Sequence, residues 1–173
     1  MHVRRTLLVA HPAERMYDLI EGAEHYPAFL PWCAAATILE RNDDVVAARV
    51  AVEVRGVRLQ FVTRNRKRRP GWMGLALDEG PFARFEGEWR LKPLGADGCR
   101  IDFALDYDFE RALLRSVAST VFDRITNTLV DAFVARADAL GAAIPAVAPV
   151  APLPLEPVMA PFPRFPNEPG ETR

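Results

Sequence analysis

The chain of 173 residues is poor in the side chains on which metal and redox chemistry depend, with two cysteines and three histidines. Cys33 and Cys99 lack the CxxC or Cys/His spacing of zinc sites and redox pairs. The sequence also contains no glycine-rich phosphate loop and no nucleophile elbow. These absences argue against metal, nucleotide and serine-hydrolase chemistry, and we expect that the protein requires no cofactor.

An excess of charge of one sign is also missing, since the formal net charge is −1. Wholesale capture of DNA or of an anionic membrane normally needs a clear positive excess, so such a contact requires a local basic patch. His11 and Pro12 interrupt the first apolar run, which leaves it too short for an export signal or a membrane span. We therefore expect a cytoplasmic protein and no DNA partner, with peripheral contact at the inner membrane left open.

Half of the residues are hydrophobic, which is enough for one core without disulfides or metals. We predict one domain over residues 1–141. Residues 142–173 hold nine of the fifteen prolines and almost no periodicity, so we predict a disordered tail there.

The order of patterns predicts a strand at residues 3–10, a short helix opened by Pro12 and ended by Gly22, and a proline-broken loop at residues 25–33. From Trp32 onward, valine-rich runs of alternating polarity are separated by turn residues, which is typical of an antiparallel meander. Residues 113–140 contain no proline or glycine and predict one long helix, with Gly141 as its stop. The sequence thus indicates an α+β fold in which a curved antiparallel sheet of about seven strands wraps the C-terminal helix.

Such a sheet closes fully around a helix only where large side chains meet. Small residues at many inward positions favour a tunnel for an apolar molecule, while an ordinarily interdigitated core is the alternative. The alternation of the strands and the helix stripe predict which residues line that tunnel. They are Phe61, Leu75, Phe85, Phe103, Leu105, Val121 and Ile125.

The loop before the meander presents several aromatic and aliphatic side chains between two prolines, Pro27 and Pro31. These side chains either form a lip over the tunnel or plug one end of the core. The same two interpretations apply to Phe82, beside the Gly80–Pro81 turn. The residues of this group that we predict to contact the ligand are Tyr26, Phe29, Leu30, Trp32 and Phe82.

The one dense basic cluster follows Arg64 at the end of a predicted strand. It could contact the phosphates of RNA or of anionic lipids, or it could be a solvated hairpin tip. The residues predicted for RNA or membrane contact are Arg66, Lys67, Arg68 and Arg69.

An enzymatic function requires titratable groups that converge in the tunnel. The strand carboxylates fall instead on the polar faces, alternating with arginines, and we predict cross-strand ion pairs there. Only His25 among the histidines lies near the predicted lip. We therefore predict that the protein binds an apolar ligand without catalysis.

Several motifs, in order, resemble the coenzyme Q-binding START-domain family of the polyketide cyclase/START-like superfamily. The matching segments are residues 5–9 (RTLLV), 26–33 (YPAFLPWC), 63–65 (TRN), 80–82 (GPF), Trp89, 99–101 (CRI) and 106–109 (DYDF). The likeness runs over residues 3–139, which is the whole predicted domain. It implies a helix-grip fold of the START or Bet v 1 type.

The resemblance also implies ubiquinone or a related isoprenoid lipid as the bound ligand, in support of respiration. Its bacterial branch includes ribosome association toxins, which implies the large ribosomal subunit as an alternative partner. Because one fold can serve both roles, the likeness does not choose between them.

Overall fold

The computed structural model describes residues 1–54 and 56–142. The predicted tail lies outside the described residues, apart from Ala142, which closes the last helix. In chain order the elements are β1 (His2–Val9), α1 (Ala13–Glu21), a 3₁₀ helix (Ala23–Ala28), β2 (Cys33–Arg41), β3 (Val45–Val54), β4 (Val57–Arg68), β5 (Trp72–Glu79), β6 (Phe82–Leu94), β7 (Gly98–Phe109) and α2 (Ala112–Ala142).

The seven strands form one antiparallel sheet in the order β1-β7-β6-β5-β4-β3-β2. Strands β2 to β7 pair in chain order and turn at the predicted glycine, proline and asparagine positions, which confirms the meander. β1 pairs along β7, so β1 and β2 are the two edges of the sheet. The sheet and the long C-terminal helix confirm the predicted fold class.

Alternation along each strand separates a buried face from an outer face. The inward residues of β7 are Cys99, Ile101, Phe103, Leu105, Tyr107 and Phe109, all buried. On the outer face, arginines pair with carboxylates two positions away on the same strand, as Arg100 does with Asp102. The predicted cross-strand pairing is confirmed for Asp106, which pairs with Arg84 of β6 at 3.9 Å and with Arg4 of β1 at 3.2 Å. It is wrong for Arg90 and Arg100, because residues i and i+2 lie on one face within reach of a long side chain.

α2 continues through Gly141, so the predicted stop at that residue is wrong. Side chains near α1 hold the last turns of α2, since Arg15 donates to the Ala137 carbonyl at 2.8 Å and His11 lies 2.6 Å from Asp138. Contacts between the two helices thus offset the weak helix propensity of glycine.

The face that α2 buries overlaps only in part with the helical stripe predicted from the sequence, which includes Val121, Ile125, Leu129 and Phe133. Ile125 and Phe133 are buried as predicted, whereas Val121 is only partly buried and Phe122, outside the stripe, is 3% exposed. Phe122 contacts a cluster of inward-facing rings contributed by β4, β6 and β7. Because apolar residues surround much of the helix, the partners available on the sheet decided which side faces inward.

Candidate functional site

An internal cavity of about 100 Å³ lies between the inner face of the sheet and α2. Strands β3 to β7 form one wall, and α2, the end of α1 and the following loop form the others. The predicted tunnel and lip residues that the structure places on its wall are Tyr26, Trp32, Phe61, Leu75, Phe85, Phe103, Leu105 and Ile125.

Four residues predicted as ligand contacts lie off the cavity wall. Leu30 is fully buried in the core, and Phe29 packs edge-on against Phe133 with ring centroids 5.4 Å apart. Phe82 stacks on Phe109 at 4.8 Å. These three residues fill the core, so the tunnel assignment is corrected for them.

Val121 is the fourth residue off the wall, because the rotation of α2 that buries Phe122 turns Val121 outward. It lines a second, open space of about 650 Å³ between α2, the end of β3 and the loop before β2. Trp32 and Ile125 line both spaces, so they lie where the cavity and this open groove adjoin.

Several wall residues were not predicted as ligand contacts. Trp89 packs against Phe103 with ring centroids 4.3 Å apart and edge-on against Phe133 at 5.6 Å. The alternation of β6 already placed Trp89 inward, so its signal was present in the sequence. Phe122 was missed because the buried face of α2 extends one position to the side of the predicted stripe, of which Ile125, Leu129 and Phe133 do line the cavity.

The cavity wall also carries polar groups. Thr63 and Asn65 are inward residues of β4, at 7% and 9% exposure, and Thr126 comes from α2. Glu21 lines the wall where α1 ends and accepts a hydrogen bond from Lys67 Nζ at 2.6 Å. The inward alternation of Val57, Leu59 and Phe61, continued along β4, would have indicated Thr63, Asn65 and Lys67.

In the structure, the residues of the basic cluster differ in burial and in whether they have an acidic partner. Lys67 has a side chain only 8% exposed and is paired with Glu21, while Arg69 forms an ion pair with Asp18 at 2.8 Å. Lys67 is therefore corrected from a surface contact to a buried ion-pair partner. Arg66 and Arg68 are exposed and have no carboxylate partner within the described part of the chain. Arg68 lies over the Trp72 ring, 5.8 Å from its centroid.

Among the described residues, no helix is both long and apolar enough to cross a membrane. His25 is exposed and does not line the cavity.

Comparison with curated proteins gives relatives over most of the described chain. The ribosome association toxin RatA of Pseudomonas aeruginosa is 34% identical over 139 residues, which is 80% of this chain and 96% of that protein. A coenzyme Q-binding protein COQ10 homolog B, mitochondrial, of Xenopus laevis is 28% identical over 130 residues, covering 69% of this chain and 51% of that protein.

Solved structures agree on the fold. A START superfamily protein from Mycobacterium smegmatis has a TM-score of 0.65 at 23% identity and covers 80% of this chain and 98% of that one. The Zhui aromatase/cyclase from Streptomyces has a TM-score of 0.67 at 22% identity and covers 80% of this chain and 93% of that one. At these identities the likeness shows the fold alone.

The family model described as polyketide cyclase / dehydrase and lipid transport matches residues 9–134, most of the described chain. This match covers strands β2 to β7, the cavity residues and most of α2, and it agrees with the resemblance seen in the sequence motifs. The chain therefore belongs to the polyketide cyclase / dehydrase and lipid transport family, with a START-like helix-grip fold.

Proposed function

We propose that this protein holds an apolar ligand of the isoprenoid quinone class between the sheet and α2, without transforming it. The observation that carries the proposal is the internal cavity, whose wall is mostly aromatic and aliphatic side chains. Such a wall favours an apolar guest, because binding removes the guest's apolar surface from water. The family description of lipid transport and the name of the COQ10 relative support the same class of ligand.

The cavity volume limits how such a ligand would bind. A cavity of about 150 Å³ holds benzene, so the space of about 100 Å³ must widen slightly to take one ring. An isoprenoid tail would need the neighbouring groove of about 650 Å³. We propose that the ring lies inside and that the tail leaves past Trp32 and Ile125, along Val121.

Binding without catalysis is supported by the state of the titratable side chains on the wall. Glu21 and Tyr26 are the titratable residues of the wall within the described chain. Glu21 is held by Lys67 and, at 3.4 Å, by Arg41. Burial raises the pKa of Tyr26, whose hydroxyl donates to the Ile20 carbonyl. Both side chains are thus engaged in structural contacts, which makes them poor proton-transfer groups.

Two tryptophan substitutions test this arrangement with a benzoquinone head group that carries either a decyl chain or none. Leu105→Trp fills the cavity and should abolish binding of both ligands, at an overpacking cost of about 1–3 kcal/mol. Val121→Trp obstructs only the groove and should weaken the decyl ligand while sparing the head group. Binding is measured by calorimetry, with circular dichroism as the control for folding.

Unchanged binding of both ligands to a folded Leu105→Trp variant would place the ligand elsewhere. Equal weakening of both ligands by Val121→Trp would contradict the assignment of the tail to the groove.

A second candidate function is association with the large ribosomal subunit. Its support is the relative named ribosome association toxin, which matches 80% of this chain and 96% of its own length. The surface that could take part is smaller than the sequence suggested, because acidic partners hold Lys67 and Arg69. Arg66 and Arg68 remain as the exposed cations of the β4–β5 tip without a carboxylate partner among the described residues.

Co-sedimentation with large ribosomal subunits tests this second function. Replacing Arg66 and Arg68 with serine should weaken sedimentation and reduce its salt dependence by about one to two ions, since each phosphate contact releases a counterion. The control changes Arg58 and Arg84 to serine, which alters the net charge equally at another surface. Absence of sedimentation for the parent protein would refute this function, and liposome binding lost only in the tip variant would assign the tip to membranes.

A further inference from the structure

The inward face of β4 changes from apolar to polar along the strand. Leu59 and Phe61 are followed at successive inward positions by Thr63, Asn65 and Lys67. Four residues of strand span about 13 Å, so Phe61 and Asn65 lie at well-separated levels of the cavity wall. The cavity therefore has two chemically different ends.

The apolar end is built from rings. Phe61 lies 5.5 Å from Phe85 and 6.3 Å from Phe122 between ring centroids, and all three line the cavity. At the other end, Glu21 is already neutralised by Lys67. Two polar side chains of β4 then remain on the wall toward that end, the Thr63 hydroxyl and the Asn65 amide, and Asn65 lies nearer Glu21's partner Lys67 along the strand.

Asn65 Oδ1 is buried and accepts no hydrogen bond from the described residues. The side chain is 9% exposed and lines the cavity. Thr126, a polar residue of the same wall, is different, because its hydroxyl donates to the Phe122 carbonyl at 3.0 Å. A buried acceptor without a donor is costly to keep, which points to a donor supplied by the guest.

We infer that Asn65 anchors the head of the ligand, and that the ligand is an apolar ring compound bearing a hydroxyl donor, a phenol or a quinol. This inference rests on the proposed ligand-binding function and specifies its ligand. A hydroxyl donates to Oδ1, whereas a quinone carbonyl can only accept from the Nδ2 of the same amide and leaves the buried Oδ1 unpaired. The reduced form of a quinone thus binds more tightly than the oxidised form, with its ring directed toward Phe61 and Phe85.

Phenol and toluene test the inference, because they have the same shape and size and differ in a hydroxyl against a methyl group. Their dissociation constants are measured by NMR titration of the full chain and of Asn65→Leu. The ratio of toluene to phenol dissociation constants should fall by about tenfold or more in Asn65→Leu. Thr126→Val is the matched control and should leave that ratio unchanged.

Each outcome has a defined meaning. If the parent binds neither probe, the proposed ligand-binding function fails together with this inference. If both probes bind and Asn65→Leu leaves the ratio unchanged, or Thr126→Val changes it instead, only the anchor fails. If Asn65→Leu weakens benzaldehyde as much as phenol, the amide acts as a donor and the preference for a quinol is overturned.

A measurement on the parent protein covers the case in which Asn65→Leu does not fold. The side-chain amide resonances of Asn65 should shift on titration with phenol and stay in place with toluene. Equal shifts with both probes would overturn the assignment of Asn65 as the anchor.

Discussion

At the scale of single residues, Asn65 and Tyr17 are the two described side chains with a buried polar atom that has no partner. Tyr17 is fully buried and does not line the cavity, and burial raises its pKa to about 12. Asn65 lines the cavity. The two residues carry the same kind of energetic penalty, but only Asn65 is placed where a ligand could relieve it.

Replacing Asn65 with leucine should raise the free energy of unfolding of the ligand-free protein by about 1–2 kcal/mol, because it removes an unsatisfied buried acceptor. Urea denaturation measures the change. Tyr17→Phe is the control, since it removes the other orphan and should stabilise the protein without altering phenol binding. Destabilisation by Asn65→Leu would mean that the amide has a hydrogen-bond partner in the ligand-free protein.

At the scale of secondary-structure elements, ionic contacts on the outer face join β1 to β7. Asp106 on β7 accepts hydrogen bonds from Arg4 and from His2 on β1. The hydrogen bond from Arg4 is the main cause that lowers the pKa of Asp106 to about 2, from an ordinary value of 3.8. The negative charge of Asp106 therefore helps to hold β1 at the edge of the sheet, and protonation of Asp106 at low pH removes that charge.

The carboxyl of Asp106 stays ionised to lower pH in the folded protein than in the unfolded chain. Between pH 4 and 2 the unfolded chain therefore binds more protons than the folded protein does. The free energy of unfolding consequently falls as the pH drops through this window. Asp106→Asn should cost about 0.5–1 kcal/mol at pH 7, as expected for a solvated ion pair. It should also make the fall in stability below pH 4 shallower than in the parent. Thermal melts at pH 7, 4, 3 and 2 provide the test, and parallel curves for the two proteins would contradict it.

The orientation of α2 is a second property at this scale. Phe122→Ala should destabilise the protein by about 3–5 kcal/mol, because it opens a cavity within the ring cluster. Val121→Ala should cost about 1 kcal/mol or less, since that side chain is partly exposed. Denaturant melts of the two variants compare these neighbours directly. Equal losses would show that α2 is rotated from the orientation described above.

At the scale of the whole molecule, α2 bridges the sheet and ends against α1. Arg15 and His11 hold its last turns near Ala137 and Asp138, just before the proline-rich segment begins. The contacts that fix the described domain thus involve residues up to the end of α2.

Truncation after Ala142 should therefore change the thermal midpoint by no more than a few degrees, since few buried contacts are expected from a proline-rich tail. The same truncated chain should bind phenol as tightly as the full chain. A fall in the midpoint of about ten degrees or more would show that residues 143–173 pack on the domain, and weaker phenol binding would assign them to the site.

Much of the architecture was predictable because local patterns specify it. The alternation along β4, β6 and β7 separates inward from outward residues with a period of two, and glycine and proline punctuate the turns. Four predicted contacts on these strands, Phe61, Phe85, Phe103 and Leu105, accordingly lie on the cavity wall. The same alternation would have indicated Asn65 had it been extended one position beyond Thr63.

The sequence by itself determined the order of the elements, the meander and the inward faces of the strands, since these depend on neighbours along the chain. Only the tertiary structure decided the rotation of α2 about its own axis. Apolar residues surround that helix, so several faces could have been buried, and Phe122 faces inward because it packs against the rings of Phe61, Phe85 and Tyr107. The tertiary structure likewise decided which cations of the β4–β5 tip have an acidic partner, since Glu21 and Asp18 come from a helix about fifty positions earlier in the chain. Pairing over such distances has no local signature, because it depends on how the packed elements meet in space.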